Sequence, residues 1–375
     1  MGEAQKGYGN KGSKGLRLII AGGGTGGHIF PGIAVGKELL KRYPASEILF
    51  VTSDRKIESD ILKNAGIKRT SIMVEGIKGR GLMNKLKAMA KASYGFCQSL
   101  LILKKFSPDL VLGVGGYSAG PVCLAARTMG IKTAIHEQNS YPGLTNRLLS
   151  RLADRVFISF QESESHFPKG KVSFTGNPIR EEFTLEKEDP EEGAKRFTIL
   201  VTGGSQGAFS INSAIIQALK IMKDRGKEPW VIHHAGQADF ERVLQGYREK
   251  GLDGDIKPFI QDMPAAYRQA DIFIGRAGAG TIFELAALGK PSILIPYPYA
   301  ADNHQTYNAG MLADAGGAKI IIQDELSPDK LAGLLIGFME DRSSLKEMGR
   351  QARKAARPDA AKAIADQIEE MIGKD

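Results

Sequence analysis

The chain alternates short apolar runs with longer segments in which apolar residues recur every three or four positions. In the first half, the apolar runs predict strands at 16–21, 47–52, 110–114, 132–136 and 155–158. The periodic segments between them predict amphipathic helices at 32–42, 55–65, 119–129 and 143–152. Strands that alternate with helices in this way are typical of a parallel sheet covered by helices on both faces.

The same alternation restarts after a charged segment. Strands are predicted at 197–202, 230–234, 256–260, 271–275 and 292–295, and helices at 208–224, 237–249, 279–288 and 303–314. The pattern therefore predicts an α/β protein with two doubly wound, Rossmann-like parallel-sheet domains. Their strand carboxyl ends would face each other across a cleft, where ligands bind in this architecture.

Composition shifts place the expected domain boundaries. Residues 1–15 are rich in Gly and Lys and are expected to form a disordered tail, and 16–181 form a first domain. The stretch 182–195 is charged and contains a proline and a glycine, as linkers often do. A second domain is expected at 196–350, followed by a C-terminal helical segment at 351–375 that packs back on either domain.

Overall composition excludes several classes of protein. The chain has 375 residues with 42% hydrophobic content, enough for two domains with real cores. The two cysteines, Cys97 and Cys123, exclude a disulfide scaffold and are expected to be buried or inert thiols. The sequence contains no run of 18 apolar residues, so we expect no membrane-spanning helix. The N-terminus lacks the apolar region of a secretory signal.

Two glycine-rich loops follow the first strand of each predicted domain. The first, GGGTGGH at 22–28, formally matches the dinucleotide fingerprint Gly-x-Gly-x-x-Gly, with Asp54 as a loose candidate for its acidic partner. A nicotinamide or flavin enzyme is therefore an alternative. The second loop, GGSQGA at 203–208, argues against it, because it suggests that two phosphate-binding walls face each other. N-capping of the next helix by Ser205 is the simpler alternative for that loop.

Further polar and glycine-rich segments follow other strands. The segment GVGGYSAGP at 113–121 and the segment HEQN at 136–139 each come at a strand end in the first domain. A run of four polar residues at such a position is rarely a core feature, so HEQN is expected to face the cleft. Hydrogen bonds that fix the loop are its structural alternative.

The segment 276–309 combines small residues with hydroxyl-binding groups. Gly278, Ala279 and Gly280 would let a ligand approach a helix N-terminus. Thr281 and Glu284 have the spacing of a capping box, and the alternative is that the Glu284 carboxylate accepts hydrogen bonds from two ribose hydroxyls.

The sequence offers no clear metal site. No Cys and His cluster has the spacing of metal ligands. Asp253-Gly-Asp255 resembles a DxD metal motif, but it comes before a predicted strand instead of after one, so we interpret it as a turn.

Positive charge is concentrated in the segment 76–106, which we call the basic segment. It contains seven Lys or Arg residues and no acidic residue, while the whole chain has a net charge of +9. Leu82, Met83, Leu86, Met89 and Ala90 have helical spacing. A basic amphipathic helix suits an anionic membrane surface, although a solvated basic face is the plain alternative. Nucleic acid is disfavoured, because the chain has one Trp and no recognised nucleic-acid module.

Taken together, these motifs carry a resemblance to a known family. AGGGTGGHIFPGIA, GVGGYSAGP, HEQN, TGNPIR, GGSQGA, RAGAGTIFELAALGKPSILIPYP and DNHQTYNA stand in collinear order over about 16–317. They closely resemble the MurG family of GT-B glycosyltransferases, of the family 28 type. The resemblance implies inverting transfer of GlcNAc from UDP-GlcNAc to undecaprenyl-pyrophosphoryl-MurNAc-pentapeptide (lipid I), which gives lipid II. Another GT-B glycolipid transferase and a non-catalytic sugar-nucleotide-binding subunit are the alternatives.

The resemblance also implies a setting for the activity. It implies peptidoglycan synthesis, a role in cell shape and division, and a peripheral position on the cytoplasmic face of the bacterial plasma membrane. UDP-GlcNAc, lipid I, the anionic membrane surface and cell-wall synthesis complexes would be the partners, with no nucleic acid. No cofactor would be required, although Mg²⁺ could arrive with the lipid pyrophosphate.

Site residues follow from the resemblance by position. UDP-GlcNAc contacts would fall on Thr25, Gly26, Gly27, Asn139, Arg180, Ser205, Ile260, Ala279, Gly280, Thr281, Glu284 and Gln305. Acceptor-side candidates are Gly115, Gly116, Tyr117 and Ser118. His304, beside Gln305, is a further candidate for the GlcNAc hydroxyls.

Inverting transfer needs a base near the acceptor hydroxyl. His28, at the end of the first glycine loop, is the preferred candidate because of its pKa range, and Glu137 is the rival. The structural alternative for His28 is to hold the glycine loop by a backbone hydrogen bond.

Overall fold

The computed structural model describes residues 15–75, 82–184, 196–204 and 207–373, with the backbone alone for 82–90. All of the expected tail except Gly15 and most of the expected linker lie outside these ranges. The first sheet contains β1 (Arg17–Ala21), β2 (Glu47–Thr52), β3 (Lys68–Ser71), β4 (Leu110–Gly113), β5 (Lys132–Glu137), β6 (Arg155–Ile158) and β7 (Val172–Phe174). The second contains β8 (Thr198–Thr202), β9 (Trp230–His234), β10 (Asp255–Lys257), β11 (Ile272–Gly275), β12 (Ser292–Leu294) and β13 (Ala318–Ile320).

Both sheets are parallel and share one winding order. The first runs β3-β2-β1-β4-β5-β6-β7 and the second runs β10-β9-β8-β11-β12-β13. In each sheet the order reverses beside the first strand, between β1 and β4 and between β8 and β11. Ligands bind at the carboxyl ends of strands at this reversal point in open α/β sheets. The predicted fold class, two doubly wound parallel-sheet domains, is confirmed.

Helices cover both faces of the sheets. They are α1 (Gly26–Arg42), α2 (Lys56–Asn64), α3 (Leu82–Phe106), α4 (Ala119–Thr128), α5 (Leu144–Leu149), α6 (Phe209–Asp224), α7 (Phe240–Glu249), α8 (Met263–Gln269), α9 (Ala279–Leu288), α10 (His304–Asp314), α11 (Pro328–Glu340), α12 (Arg342–Lys354) and α13 (Ala360–Met371). Short 3-10 turns lie at 161–166, 181–183, 301–303 and 323–325. Among the helices in the described residues, none is long and apolar enough to cross a bilayer.

Helix α1 begins earlier than predicted. Its first residue is Gly26, whereas the predicted start was 32. Pro31 is accommodated inside the helix. The consequence is that His28 lies in the first turn of α1, next to the glycine loop.

The C-terminal helix returns to the first domain. Ile364, Ala365 and Ile368 of α13 are fully buried in the core cluster of the first sheet. Arg42 at the end of α1 pairs with Asp366 at 2.5 Å and with Glu369 at 2.8 Å. Helix α12 is continuous across residue 350, where a domain boundary was expected.

A cavity of about 490 Å³ lies between α1, α2 and the start of α13. Both chain connections between the domains border it, because Glu182 and Thr184 line it on one side and Pro358 and Asp359 on the other.

The two cysteines differ in exposure. Cys123 is buried, and burial raises the pKa of its thiol to about 12, as expected for an inert thiol. Cys97 on α3 is exposed, so of the two cysteines only Cys123 meets the expectation by burial.

Candidate active site

The first glycine loop joins β1 to α1 and is held by hydrogen bonds from three directions. Gly23 N–H donates to the Gly115 carbonyl at 3.3 Å, and Gly24 N–H donates to Glu58 Oε1 at 2.5 Å. The guanidinium of Arg55 donates to the Gly24 carbonyl at 3.1 Å. The loop is therefore fixed before any ligand arrives. Of its predicted ligand residues, Thr25 directly precedes α1, and Gly26 and Gly27 are the first two residues of that helix.

Glu58, not Asp54, is the acidic residue that reaches this loop. Asp54 is exposed and pairs with Arg69 at 3.0 Å. Glu58 is fully buried in the first turn of α2, and both of its carboxylate oxygens also accept the Ser53 hydroxyl, at 2.9 and 3.0 Å. Sequence reasoning missed it, although an acidic residue soon after the second strand was expected.

His28 is half-buried beside this loop. Its Nδ1 lies 3.0 Å from the Gly23 carbonyl oxygen and 3.4 Å from the Thr25 hydroxyl. Because a carbonyl only accepts, the proton sits on Nδ1 and Nε2 keeps its lone pair. Burial lowers the pKa of His28, and nearby His304 lowers it further, while the Gly23 carbonyl and Glu58 oppose this change. The neutral, basic form is therefore favoured at neutral pH.

The segment after β4 packs against the first loop through two glycines. Gly115 and Gly116 have φ of 86° and 80°, in the left-handed region that favours glycine. A Cβ on Gly116 would lie 2.2 Å from the Gly23 carbonyl oxygen, and one on Gly115 would lie 3.1 Å from His28 Nε2. Gly115 is thus brought beside Nε2 of His28, and Gly116 is brought against the first loop. Tyr117 is about half exposed beside them.

Ser118 follows these residues at the start of α4. It is buried, and its hydroxyl has no hydrogen-bond partner among the residues that the structure describes.

Glu137, the rival base, is occupied by loop contacts. One carboxylate oxygen accepts Asn139 N–H at 2.9 Å, and the other accepts Gly143 N–H at 3.1 Å and the Asn146 amide at 2.9 Å. The residue is buried, and burial raises its pKa. This geometry favours the structural alternative for HEQN, because Glu137 fixes the turn that carries Asn139.

His136 and Gln138 of the same segment lie inside the first domain. His136 Nε2 lies 3.1 Å from the Ser159 hydroxyl, and burial lowers the pKa of His136 to about 3. The Gln138 amide donates to the Val114 carbonyl at 3.0 Å. Both residues therefore stabilise the strand ends, in contrast to the expectation that the whole segment would face the cleft.

In the second domain, the first turn of α9 is open. Gly278 is its N-cap residue and provides no side-chain cap. A Cβ added to Gly280 would meet no atom within 4 Å, and Ala279 is small. The free N–H groups and the positive end of the helix dipole therefore form a site suited to a phosphate.

Gln305 fixes the backbone on both sides of this opening. Its side-chain oxygen accepts Ala277 N–H at 3.2 Å and Tyr297 N–H at 3.0 Å. The side-chain amide nitrogen remains as a donor near the α9 N-terminus.

Glu284 is not part of a capping box. Helix α9 begins at Ala279 and is capped by Gly278, so Thr281 lies in the first turn instead of at the N-cap. Glu284 lies 3.6 Å from Arg180 Nη2. Burial raises its pKa to about 7, although Arg180 and a hydrogen bond from Tyr267 oppose the rise. Because Glu284 does not take part in helix capping, the alternative remains that its carboxylate accepts hydrogen bonds from ribose hydroxyls.

Arg180 connects the two domains. Its guanidinium pairs with Glu284 and lies over the rings of Phe30 and Phe183, 4.9 and 4.7 Å from their centroids. Phe30 belongs to α1 and Phe183 to the core of the second domain. A displacement of either domain therefore changes the environment of Glu284.

Asn308 joins the domains a second time and was missed by sequence reasoning. Its side-chain oxygen accepts Ser140 N–H at 2.9 Å and the Ser140 hydroxyl at 3.0 Å. Its amide donates to Asn139 Oδ1 at 3.2 Å and to the Ala277 carbonyl at 3.3 Å. Asn139, a predicted ligand residue, is thereby held against the turn before α9.

Two predicted site residues are not brought to this cluster by any described contact. Ser205 lies outside the described residues, and the N-cap residue of α6 is Ala208. Ile260 lies in the loop after β10 with its side chain buried in the core of the second domain.

The interpretation of the DxD-like segment as a turn fits its surroundings. Asp253 lies 3.0 Å from Arg196, and Asp255 begins β10 and pairs with Lys257. Within the part of the chain that the structure describes, no three His, Cys, Asp or Glu side chains are grouped so that they could hold a metal ion.

Comparison with known proteins assigns the chain to a family. Residues 18–158 match the glycosyltransferase family 28 N-terminal domain, and residues 198–364 match its C-terminal domain. The chain belongs to glycosyltransferase family 28. The family resemblance read from the sequence motifs is therefore confirmed.

Relatives within family 28 cover nearly the whole chain. A protein of Geobacter sp. (strain M21) is 47% identical over 93% of this chain and 94% of its own length. One from Syntrophus aciditrophicus (strain SB) is 46% identical over 95% and 99%. Both are named UDP-N-acetylglucosamine–N-acetylmuramyl-(pentapeptide) pyrophosphoryl-undecaprenol N-acetylglucosamine transferase.

Solved structures agree with the family 28 fold. MurG of Acinetobacter baumannii has a TM-score of 0.77 and 34% identity, covering 95% of this chain and 99% of that one. A UDP-N-acetylglucosamine 2-epimerase has a TM-score of 0.69 with 15% identity, over 96% and 98%, and shows the shared fold alone.

Proposed function

We infer that the protein transfers GlcNAc from UDP-GlcNAc to undecaprenyl-pyrophosphoryl-MurNAc-pentapeptide, giving lipid II for peptidoglycan synthesis. The single observation that carries this inference is the near full-length identity of 46–47% to transferases of that name. The geometry agrees with it, because α1 of the first domain and α9 of the second each begin at a helix N-terminus that has no side-chain cap, as a phosphate site requires.

The second domain is suited to UDP-GlcNAc. The α9 N-terminus would take the diphosphate, and the Glu284 carboxylate would accept hydrogen bonds from the two ribose hydroxyls. The charge of the leaving UDP would be stabilised by the same helix end, so the displacement requires no cofactor. Mg²⁺ that arrives with the lipid pyrophosphate stays a prediction.

The first domain is suited to the acceptor. His28 Nε2 would remove the proton from the acceptor hydroxyl while the hydroxyl oxygen bonds to C1 of GlcNAc. The bond between C1 and the UDP oxygen breaks, and UDP leaves with the electron pair. A single displacement of this kind inverts the configuration at C1.

A UDP-release assay tests the proposed function. The protein is incubated with UDP-GlcNAc and a short-chain lipid I analogue, and we expect UDP and a disaccharide product in equal amounts. UDP-GlcNAc binding without turnover would indicate a non-catalytic subunit instead. Turnover only with other glycolipid acceptors would indicate a different transferase.

We further propose that the protein acts at an anionic membrane surface through α3. The helix carries Lys104 and Lys105 exposed at its end, while Lys91 pairs with Glu75 and contributes less free charge. The predicted apolar stripe falls on residues whose side chains are not described. Double replacement of Lys104 and Lys105 by Glu should reduce co-sedimentation with phosphatidylglycerol vesicles severalfold and leave turnover of a short-chain, soluble acceptor unchanged. Equal binding to neutral vesicles would contradict it.

A further inference from the structure

One peptide group of the first glycine loop is held between two ionisable side chains. The Gly23 carbonyl oxygen accepts His28 Nδ1–H at 3.0 Å, and the N–H of the next residue, Gly24, donates to Glu58 Oε1 at 2.5 Å. The carbonyl and the N–H belong to the same Gly23–Gly24 peptide. Glu58, this peptide and His28 therefore form one continuous hydrogen-bonded chain.

The hydrogen bonds in this chain all point in one direction. His28 donates to the peptide and the peptide donates to the carboxylate. A carboxylate that accepts from a peptide N–H increases the negative charge on the carbonyl oxygen of that peptide, because the group is resonance-delocalised. The Gly23 carbonyl becomes a stronger acceptor for Nδ1–H as a result, which fixes the His28 tautomer and stabilises its protonated form.

The carboxylate of Glu58 is held in place by hydrogen-bond donors. The residue is fully buried, and in its described contacts its carboxylate accepts hydrogen bonds from the Gly24 N–H and the Ser53 hydroxyl. It lies in the first turn of α2, which begins directly after the β2–α2 connection. Its carboxylate is therefore fixed against the N–H side of the same peptide whose carbonyl His28 contacts.

We propose that Glu58 is a positioning residue that orients His28 and strengthens it as a base through the Gly23–Gly24 peptide. This inference rests on the proposed role of His28 as the base. The arrangement performs the task of a carboxylate bonded directly to a catalytic histidine, with a peptide group interposed.

Other titratable or charged groups near His28 also affect its pKa or contact the same loop. His304 from α10 lowers the pKa of His28, and Glu58 raises it. His136 from β5 is affected in turn by the charge of His28 and remains neutral, because burial lowers its pKa to about 3. Arg55 contacts the following carbonyl, that of Gly24. Among these groups, Glu58 is the one that is hydrogen-bonded to the peptide that His28 contacts.

The test is Glu58→Gln, which keeps an oxygen acceptor for Gly24 N–H and removes the charge. In the full-length protein, we expect the His28 pKa measured by NMR of its imidazole to fall by about half a pH unit or more. The acid limb of kcat/KM should move to lower pH by the same amount, and kcat at its plateau should fall about two- to threefold, because a base weakened by about half a pH unit removes the proton less readily. The KM for UDP-GlcNAc should change less than about twofold.

Asp54→Asn is the matched control, since it removes an exposed carboxylate from the same β2–α2 connection without touching the loop. It should leave the His28 pKa unchanged. An unchanged His28 pKa in Glu58→Gln, with kcat lowered or not, would overturn the proposal and leave Glu58 as a structural residue. Because the NMR titration does not depend on turnover, it separates this proposal from the role of His28: turnover that persists in His28→Ala would reject the base and not the coupling.

A second measurement needs no variant of Glu58. In the unchanged protein, the Gly24 amide resonance should titrate with the same midpoint as the His28 imidazole. This coupling should vanish in His28→Ala. A Gly24 amide that does not respond to His28 protonation would overturn the proposal even if Glu58→Gln failed to fold.

Discussion

Glu284 has its carboxyl group beside Arg180 in a site from which solvent is largely excluded, and its pKa is raised to about 7. The ionised carboxylate offers both oxygens as charged acceptors to the two ribose hydroxyls, whereas protonation turns one of these oxygens into a donor. Affinity for UDP-GlcNAc should therefore rise with pH up to about 7 and level off above it. Below that value we expect a loss that approaches tenfold per pH unit, measured by isothermal titration calorimetry.

The variant Glu284→Gln separates this effect from other titrations. It should bind UDP-GlcNAc about tenfold or more weakly at pH 8, because charge-assisted bonds contribute about 1.5–3 kcal/mol each. The steep fall below pH 7 should disappear in this variant. An unchanged affinity of Glu284→Gln for UDP-GlcNAc would show that Glu284 does not bind the nucleotide.

His28 gives the second prediction at this scale. His28→Ala should keep UDP-GlcNAc affinity within about threefold, while kcat falls by about 10²–10⁴, the usual contribution of a general base. The lowered pKa of His28 also places the acid limb of the unchanged enzyme below pH 6.5, since the base is lost only when it is protonated. Replacement of the exposed His166, outside the loop, is the control. Equal loss of binding and turnover would make His28 structural.

Single residues also show where sequence reasoning stopped. The motifs identified which strand ends carry the site, but not which side chains complete it. Glu58 is 34 residues from Gly24, and Asn308 is 168 from Ser140. Neither separation produces a local pattern, so only the folded chain shows these contacts. The capping-box interpretation of Thr281 and Glu284 was wrong because the helix N-cap is Gly278, three residues earlier than that spacing requires.

Strands and helices could be predicted where apolar runs are long. Strand β2 was predicted at its observed bounds, because a buried parallel strand is apolar on both faces. The strands β3, β7 and β13 were missed. Their sequences KRTS, VSF and AKI are short and partly polar, as suits the neighbourhood of a sheet edge. Helices α11 and α12 were also missed, because the strand that precedes them, β13, was not predicted.

The contact between the two glycine segments leads to a prediction about loop packing. Gly116→Ala would place a Cβ 2.2 Å from the Gly23 carbonyl oxygen, so the segments must separate. We expect turnover to fall by at least about 100-fold, because displacement of about 1 Å at a reacting group has that effect.

Gly130→Ala is the matched control for Gly116→Ala. Gly130 also has a positive φ, 72°, but a Cβ there meets no atom within 4 Å. Both variants carry the same kind of backbone strain, about 1–2 kcal/mol, so the control should lose stability and keep its turnover. Similar turnover in both variants would show that the contact between the segments does not matter.

At the scale of the whole molecule, α13 completes the core of the first domain. Ile368→Ala should reduce the free energy of unfolding by about 2–5 kcal/mol, since the side chain is fully buried against the first sheet. Glu370→Ala, on the exposed side of the same helix, should change it by less than about 1 kcal/mol. Urea denaturation followed by circular dichroism measures both. An equal effect of the two substitutions would indicate that α13 contributes little to this core.

The return of α13 also determines how the cleft can open. The chain passes between the domains twice, once after Thr184 and once between Lys354 and Ala360, and both passages border the same cavity. Two bodies joined at two separate points turn freely only about the line through those points. Two covalent connections therefore limit the relative displacement of the two domains more than a single linker would, and any such displacement changes the cavity that both connections border.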